Sequence, residues 1–302
     1  MANITAQMVK ELREKTSAGM LDCKKALAAT DGDMEQAVTW LREKGIAKAV
    51  KKESAVAAEG LCSYRVSGNK CVVFELNSQT DFVAQNEKFL NLLDKVGEII
   101  ANSNATNTEE ALALLVDGKD LNTIILEASG VIGEKITLRR VSVIEKSSDQ
   151  VFGAYKHMKG RIVTVAILSG NDDIVAKDIA MHVAALSPKY VSREDVPADY
   201  IAKEREIILA AALNENAASP KPKPENIIAE KIVPGRLDKS LKETCLLSQP
   251  FVKNPDQTVE AYVNGAKSHV VTFVRLEVGE GIEKQVNDFA AEVAAQSAAF
   301  NN

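Results

Sequence analysis

Aromatic residues are scarce, at 5 % of the 302-residue chain with a single Trp. A base-stacking platform needs them in clusters, so a single-stranded nucleic acid is a poor expected partner. Cysteine is scarce too. Cys23, Cys62, Cys71 and Cys245 form no C-x-x-C pair, which removes the usual zinc and redox spacings. Four scattered cysteines are expected to be free thiols in semi-buried positions. If Ser67-Gly68 form a hairpin turn, Tyr64 and not Cys62 faces Cys71, and no disulfide is expected there. Only three histidines occur, His157, His182 and His269, in three separate segments. None has a Cys or His partner at metal-ligand spacing, and His182, beside apolar residues on a helix, reads as structural.

Enzyme signatures are missing as well. There is no Gly-rich loop with Lys-Ser/Thr, no G-x-G-x-x-G between a strand and a helix, and no G-x-S-x-G. The expectation is a protein that is not an enzyme and holds no cofactor and no metal. No apolar run approaches the roughly 18 residues that span a bilayer. The start, Met1-Ala-Asn-Ile-Thr5, lacks a basic stretch followed by an apolar one. It reads as no signal peptide, and a cytoplasmic location is expected.

What is present is an ordinary globular balance, 46 % hydrophobic and 26 % charged, in a length that suggests about two domains. Thirty-seven basic residues face 42 acidic ones, net −5, which argues against non-specific nucleic-acid binding.

Residues 1–55 read as a module of three short helices. Thr5 caps a helix carrying Met8, Val9 and Leu12; the second carries Leu21, Ala26 and Leu27; the third carries Ala37, Val38 and Leu41 and is expected to stop at Gly45. So small a module buries little surface alone and reads as a docking device. Ala47 to Ala58, with Lys48, Lys51 and Lys52, reads as a helical or flexible linker.

The body repeats itself. Val73-Phe-Glu-Leu-Asn-Ser-Gln-Thr-Asp-Phe-Val-Ala84 aligns with Val165-Ala-Ile-Leu-Ser-Gly-Asn-Asp-Asp-Ile-Val-Ala176 at an offset of 92. A helix follows each, with Phe89, Leu93, Val96 and Ile100 in one and Val175, Ile179, Val183 and Leu186 in the other. A later strand, Ile136–Val143, recurs as Val271–Val278 at an offset of 135. The larger offset implies an insertion of about 43 residues in the second copy. Tyr200–Leu213 and the shorter Asn226–Val233, around the stiff tip Ser219–Pro224, read as a helical hairpin. The fold expected is α+β: the N-terminal three-helix module, then two repeated subdomains, 56–146 and 147–278. Each has a three-stranded antiparallel sheet with helices, and the second carries the inserted helical hairpin at about 187–235. Residues 279–302 complete the chain with a C-terminal helix.

The copies differ at Phe82, which is Ile174 in the second. Phe82 stands at a strand-to-helix corner after polar residues. It is either a lid on its own core or an exposed aromatic wedge that inserts into a partner. Asp81 beside it reads as a helix cap that complements the dipole.

The combination of these segments resembles the bacterial translation elongation factor Ts family over essentially the whole chain. The residues concerned are Val9–Thr16, Ala18–Leu27, Glu75-Leu-Asn-Ser-Gln-Thr-Asp-Phe-Val-Ala84, His182, Gln249–Val252 and Val278-Gly-Glu-Gly-Ile282. The resemblance implies a guanine-nucleotide exchange factor. Its partner would be elongation factor Tu, whose GDP release it would speed so that GTP can rebind. It implies that the N-terminal module is like a ubiquitin-associated domain and docks on the GTPase through Arg13, Met20 and Leu21. Thr80, Asp81, Phe82 and Val83 match the segment that intrudes beside the nucleotide and dislocates Mg²⁺, which favours the wedge. His157 and Phe289 match further contacts with the partner. Two departures are Ser17, where the family usually has Gly, and the Pro-rich hairpin tip with Pro234. The rival readings are an RNA-binding module using the linker and tip lysines, and a hydrolase with an unrecognised site. Net acidity and scattered histidines speak against them.

Overall fold

A computed structural model describes residues 4–16, 18–52 and 54–283. The expected C-terminal helix, Phe289 and Ser17 lie outside the described residues. The chain divides into two units, one of Ser67 and the residues before it with Cys71–Val143 and Leu276 onward, the other of Gly68–Lys70 with Ile144–Arg275.

The first unit opens with α1 (Ala6–Thr16), α2 (Met20–Ala29) and α3 (Met34–Lys51). Thr5 Oγ1 accepts the Met8 N–H at 3.3 Å and Asp33 Oδ1 accepts the Gln36 N–H at 2.9 Å, so both caps fall on residues with cap chemistry. Leu12, Cys23, Ala26, Leu27 and Ala37 make a small buried cluster. Gly45 does not end the third helix, which runs six residues further. Its role is contact rather than termination. A Cβ on Gly130 would lie 2.6 Å from the Gly45 backbone, so the two helices cross backbone to backbone.

Next come β1 (Glu59–Ser67), β2 (Lys70–Ser78), α4 (Asp81–Ala84), α5 (Glu87–Ala101), α6 (Thr108–Leu112), the short antiparallel pair β3 (Leu115–Val116) and β4 (Lys119–Asp120), α7 (Leu121–Ile132) and β5 (Thr137–Glu145). Gly130 belongs to α7. The sheet order is β1-β2-β5. Val72, Phe74 and Leu76 point from β2 into a core closed by Phe89, Leu93, Val96 and Ile100 of α5. Each such side chain contributes about 1.5–3 kcal/mol by leaving water. The hairpin turn is Gly68-Asn69, one residue beyond the expected Ser67-Gly68, with Gly68 at φ 58. The Tyr64–Cys71 pairing argued from the earlier turn therefore does not follow. The four cysteines are free and buried, not semi-buried. Burial pushes the Cys71 thiol up to about 12 and raises Cys62 too, so both are inert core groups.

Glu75, fully buried on β2, is held by two arginines of β5. Arg139 Nη1 donates to both its oxygens at 3.1–3.2 Å and Arg140 Nε to Oε2 at 2.5 Å. The Gly279 N–H adds a bond at 2.8 Å, and Arg140 reaches the Glu277 carbonyl at 2.6 Å. The Val278-Gly-Glu-Gly-Ile282 motif is thus a pin on the first sheet.

The second unit contains β6 (Gln150–His157), β7 (Ile162–Ser169), α8 (Asp173–Leu186), α9 (Ala198–Ala217), α10 (Glu225–Ile227), α11 (Val233–Thr244), β8 (Pro250–Phe251), β9 (Asn254–Thr258), α12 (Val259–Gly265) and β10 (Val270–Glu277). β6 and β7 are antiparallel, from Gln150 opposite Ser169 to His157 opposite Ile162. The sheet order β10-β7-β6 is the first unit's order again, with the third strand beside the second strand of the hairpin. Val175, Ile179 and Val183 of α8 are buried, but Leu186, at the helix end, is exposed. The return limb of the insertion is longer than the expected Asn226–Val233. It begins at Glu225, passes through a π-helical turn at Ile228–Ile232 and continues as α11 to Thr244. Pro234 does not end it, because it stands in the first turn of α11, where a missing N–H is tolerated. Asn216 closes the tip by pairing with both the N–H and the C=O of Lys223, at 2.7 and 2.9 Å.

His182 is a satisfied core group. Its Nδ1 accepts the Val252 N–H at 3.1 Å, so its Nε2 carries the proton and donates to Gln249 Oε1 at 2.9 Å. Gln249 Nε2 donates in turn to the Glu243 carbonyl at 2.6 Å, which fixes the amide's orientation.

Candidate functional site

The corner after β2 is built from one residue outward. Thr80 is extended at φ −121, ψ 155 and caps the single turn α4, its Oγ1 accepting the Val83 N–H at 3.3 Å. Its carbonyl accepts the Ser78 hydroxyl at 2.9 Å. Its N–H and its hydroxyl both donate to one carboxylate, Glu134, at 3.0 and 2.7 Å. Every polar atom of Thr80 is engaged. Gln79 next to it accepts the Lys135 N–H at 3.0 Å.

The cap is Thr80, not Asp81 as expected. Asp81 is exposed, and its side chain makes no hydrogen bond among the described residues. Phe82 follows it and is 81 % exposed. It closes no core, so the lid reading fails. Val83 turns back and packs against the core cluster of the first unit. The corner therefore presents a carboxylate and a phenyl ring on a backbone whose other groups are held.

In the N-terminal helices Met20 and Leu21 are 61 % and 66 % exposed at the start of α2. With Ile4, Ala6 and Val9 they line a groove of about 570 Å³, and Arg13 is exposed on α1. In the second unit His157 ends β6, exposed, its ring 6.0 Å from Tyr155. Met158, Lys159 and Gly160 then take positive φ in succession, at 46, 58 and 105°. The structure thus brings Thr80–Val83 together and places Arg13, Met20 and Leu21 on the N-terminal helices. His157 belongs to the other unit. No group of three or more His, Cys, Asp or Glu side chains that could hold a metal ion occurs among the described residues. No helix among them is long and apolar enough to cross a membrane.

Glu134 was not picked out by the sequence, and Gln79 only as a member of the motif before Thr80. The only local signal for Glu134 is its place, directly after Gly133, which ends α7 in the left-handed conformation at φ 90. A helix stop followed by a carboxylate and a strand says nothing of a partner 54 residues away.

The chain is similar to known proteins along nearly its whole length. The sequence model described as Elongation factor TS matches residues 79–280. The protein named Elongation factor Ts of Acholeplasma laidlawii (strain PG-8A) is 52 % identical over 294 residues, covering 97 % of this chain and 98 % of that one. The Elongation factor Ts of Spiroplasma citri is 49 % identical over 296 residues, with the same coverage of both chains.

Proposed function

The chain belongs to the elongation factor Ts family, and on that premise we propose that it is a guanine-nucleotide exchange factor for elongation factor Tu. It binds the GDP form, disturbs Mg²⁺ and nucleotide, and lets GTP refill the site by mass action. The observation that carries this reading is Phe82, a large apolar side chain 81 % exposed on a corner whose backbone is fixed. Burying such a ring against a partner returns about 1.5–3 kcal/mol. Asp81 beside it brings a negative charge toward a phosphate and metal site, where the ion is the largest local charge.

An exchange factor must bind the nucleotide-free partner more tightly than the GDP-bound one, and linkage makes the effect reciprocal. Loosening GDP ten-thousand-fold takes about 5.5 kcal/mol of differential binding. Phe82 supplies a part. The rest falls to docking: Met20, Leu21 and Arg13 in the module of residues 1–55, read as UBA-like, and His157 in the core subdomain of 147–278. Residues 56–146 form the other core subdomain. Phe289, in the module of 279–302, enters on the family resemblance alone. In this reading the chain acts by binding in the cytoplasm, without an active site, cofactor or metal of its own.

The test is release of fluorescent GDP from purified elongation factor Tu in a stopped-flow instrument, at high and low Mg²⁺. The protein is expected to accelerate release, and Phe82→Ala to remove most of the gain, about tenfold or more. Absence of acceleration at any concentration of folded protein overturns the reading. Full activity in Phe82→Ala removes the wedge from it.

A further inference from the structure

We propose that Glu134 is the positioning residue for Phe82, acting through Thr80 as a two-bond latch. Among the described residues, the Phe82 ring is held by its own backbone. With the ring 81 % exposed and the Asp81 side chain unbonded, the direction of the ring is inherited from the turn that begins at Thr80. Among the described residues, Thr80 in turn is tied across the fold by the Glu134 carboxylate alone. One oxygen takes the backbone N–H at 3.0 Å and the other the hydroxyl at 2.7 Å. A bidentate, charge-assisted pair of this kind fixes orientation as well as distance. It sets the χ1 of Thr80, which leaves the Oγ1 lone pair aimed at the Val83 N–H, the bond that closes the turn under Phe82.

Glu134 is itself immobilised on both sides. The Gly133 N–H bonds the Ser129 carbonyl at 2.8 Å, closing α7, and the Gly133 carbonyl accepts the Lys52 ammonium. The Lys135 N–H bonds Gln79 at 3.0 Å and its ammonium reaches the Ala55 carbonyl at 3.2 Å. The latch therefore hangs on a short segment tied to α7, to the residues after α3 and to the corner. A carboxylate is the residue type this requires, since it alone accepts two donors at that spacing without offering a proton in return.

The latch stands on geometry alone; its effect on GDP release rests on the exchange reading. Two readouts keep them apart. The first is amide hydrogen exchange in the full chain, read by NMR. Glu134→Ala is expected to raise exchange at Thr80 and Val83 by about tenfold or more, with protection at Val96 and Ile125 of the core unchanged. Unchanged protection at Thr80 overturns the latch, whatever the protein does to elongation factor Tu. The second is a cycle of GDP-release rates. Glu134→Ala is expected to lower the acceleration about tenfold in the native chain and not at all in a Phe82→Ala background, because both changes remove the same placed ring. Equal losses in the two backgrounds overturn the assignment to Phe82. Glu134→Gln keeps one acceptor oxygen and is expected to fall between the two, at about threefold in both readouts. It replaces Glu134→Ala if that variant loses core protection. If the native chain gives no acceleration, the exchange reading fails, and the amide arm still decides the latch.

Discussion

The two copies of the repeat solve the same corner differently. In the second, α8 starts at once after an Asp172 cap, whose Oδ1 takes the N–H groups of Ile174 and Val175 at 3.0 Å, and runs unbroken for 14 residues. In the first, the equivalent stretch is a single turn, α4, followed by a fresh start at Asn86, which caps α5. The cross-fold ties differ in the same way. At the offset of 135, Glu134 corresponds to His269. His269 does not reach the corner; it holds the end of β7, through Ser169 Oγ at 2.7 Å to its Nδ1 and 2.9 Å to its N–H. At the offset of 92, Ser169 corresponds to Asn77, whose buried amide has no hydrogen-bond partner among the described residues. One copy secures the strand end, the other the exposed corner. Both expose an apolar residue there, Phe82 at 81 % and Ile174 at 74 %. Exposure is therefore not the distinction; anchoring is.

A reason for the broken helix lies on the neighbouring strand. A Cβ on Gly153 of β6 would stand 1.9 Å from the Ala176 carbonyl oxygen, so α8 rests directly on that backbone. At the offset of 92 the first copy has Leu61, whose side chain packs on the core instead. A helix cannot come as close over a leucine. The largest effect expected is accordingly from Gly153→Ala, which forces α8 outward and costs the second unit about 3 kcal/mol or more. Urea unfolding, with amide exchange along α8, measures it. A loss under about 1 kcal/mol breaks the comparison, since the close approach would then not be what keeps α8 whole.

The next effect concerns pH. Of the two core helices, only α8 carries an imidazole, His182, where α5 has Leu90. Burial holds His182 below its ordinary value near 6.5, against the opposing bond from Gln249. The neutral ring is the one the fold uses, because Nδ1 must stay free to accept the Val252 N–H. An unfolded chain takes up that proton more readily. The stability this gives is present in full above pH 6.5 and is lost as pH falls below it, with a slope of at most about 1.4 kcal/mol per pH unit. Thermal melts from pH 7.5 to 5 check the loss, and His182→Gln is expected to flatten the slope. A slope that survives this substitution assigns it to another group.

Much of this architecture was legible in the sequence because periodicity and spacing encode it. The apolar positions of α5, the Thr5 cap and the twin offsets all report local geometry, and each element they indicate is present. What escaped was long-range or contextual. Gly45 looked like a helix stop because its partner, Gly130, lies far along the chain. The return limb of the insertion looked short because its helical pattern is interrupted by a π-turn before α11 continues it. At the site, Phe82 was singled out by the difference between the copies, but residues alone left lid and wedge open. The choice depends on burial, which a side-chain type does not fix. The roles of Glu134 and Glu75, the latter named only as part of a motif, were hidden for a further reason: a carboxylate on a mixed surface is expected everywhere, and only the fold shows which ones are enclosed. Even the copies mislead here, since Ile167 stands where Glu75 does.

The smallest effect expected is the one that isolates anchoring from exposure. Ile174→Ala removes a side chain that is 74 % exposed, and the cap beneath it uses only backbone N–H groups and Asp172. Its stability is expected to stay within about 0.5 kcal/mol of the native chain, read from the urea midpoint. GDP release is expected to change by less than about twofold, against the tenfold expected of Phe82→Ala. The physical difference is the latch. The turn under Phe82 is tied to a second element by two charge-assisted bonds, so on the proposed exchange reading its ring is oriented before contact and little freedom is lost. Ile174 rides on the first turn of a helix with no such tie at that corner among the described residues, and whatever it touches must supply the ordering. If Ile174→Ala slows release as much as Phe82→Ala, the two corners act as equals and anchoring is not what separates them.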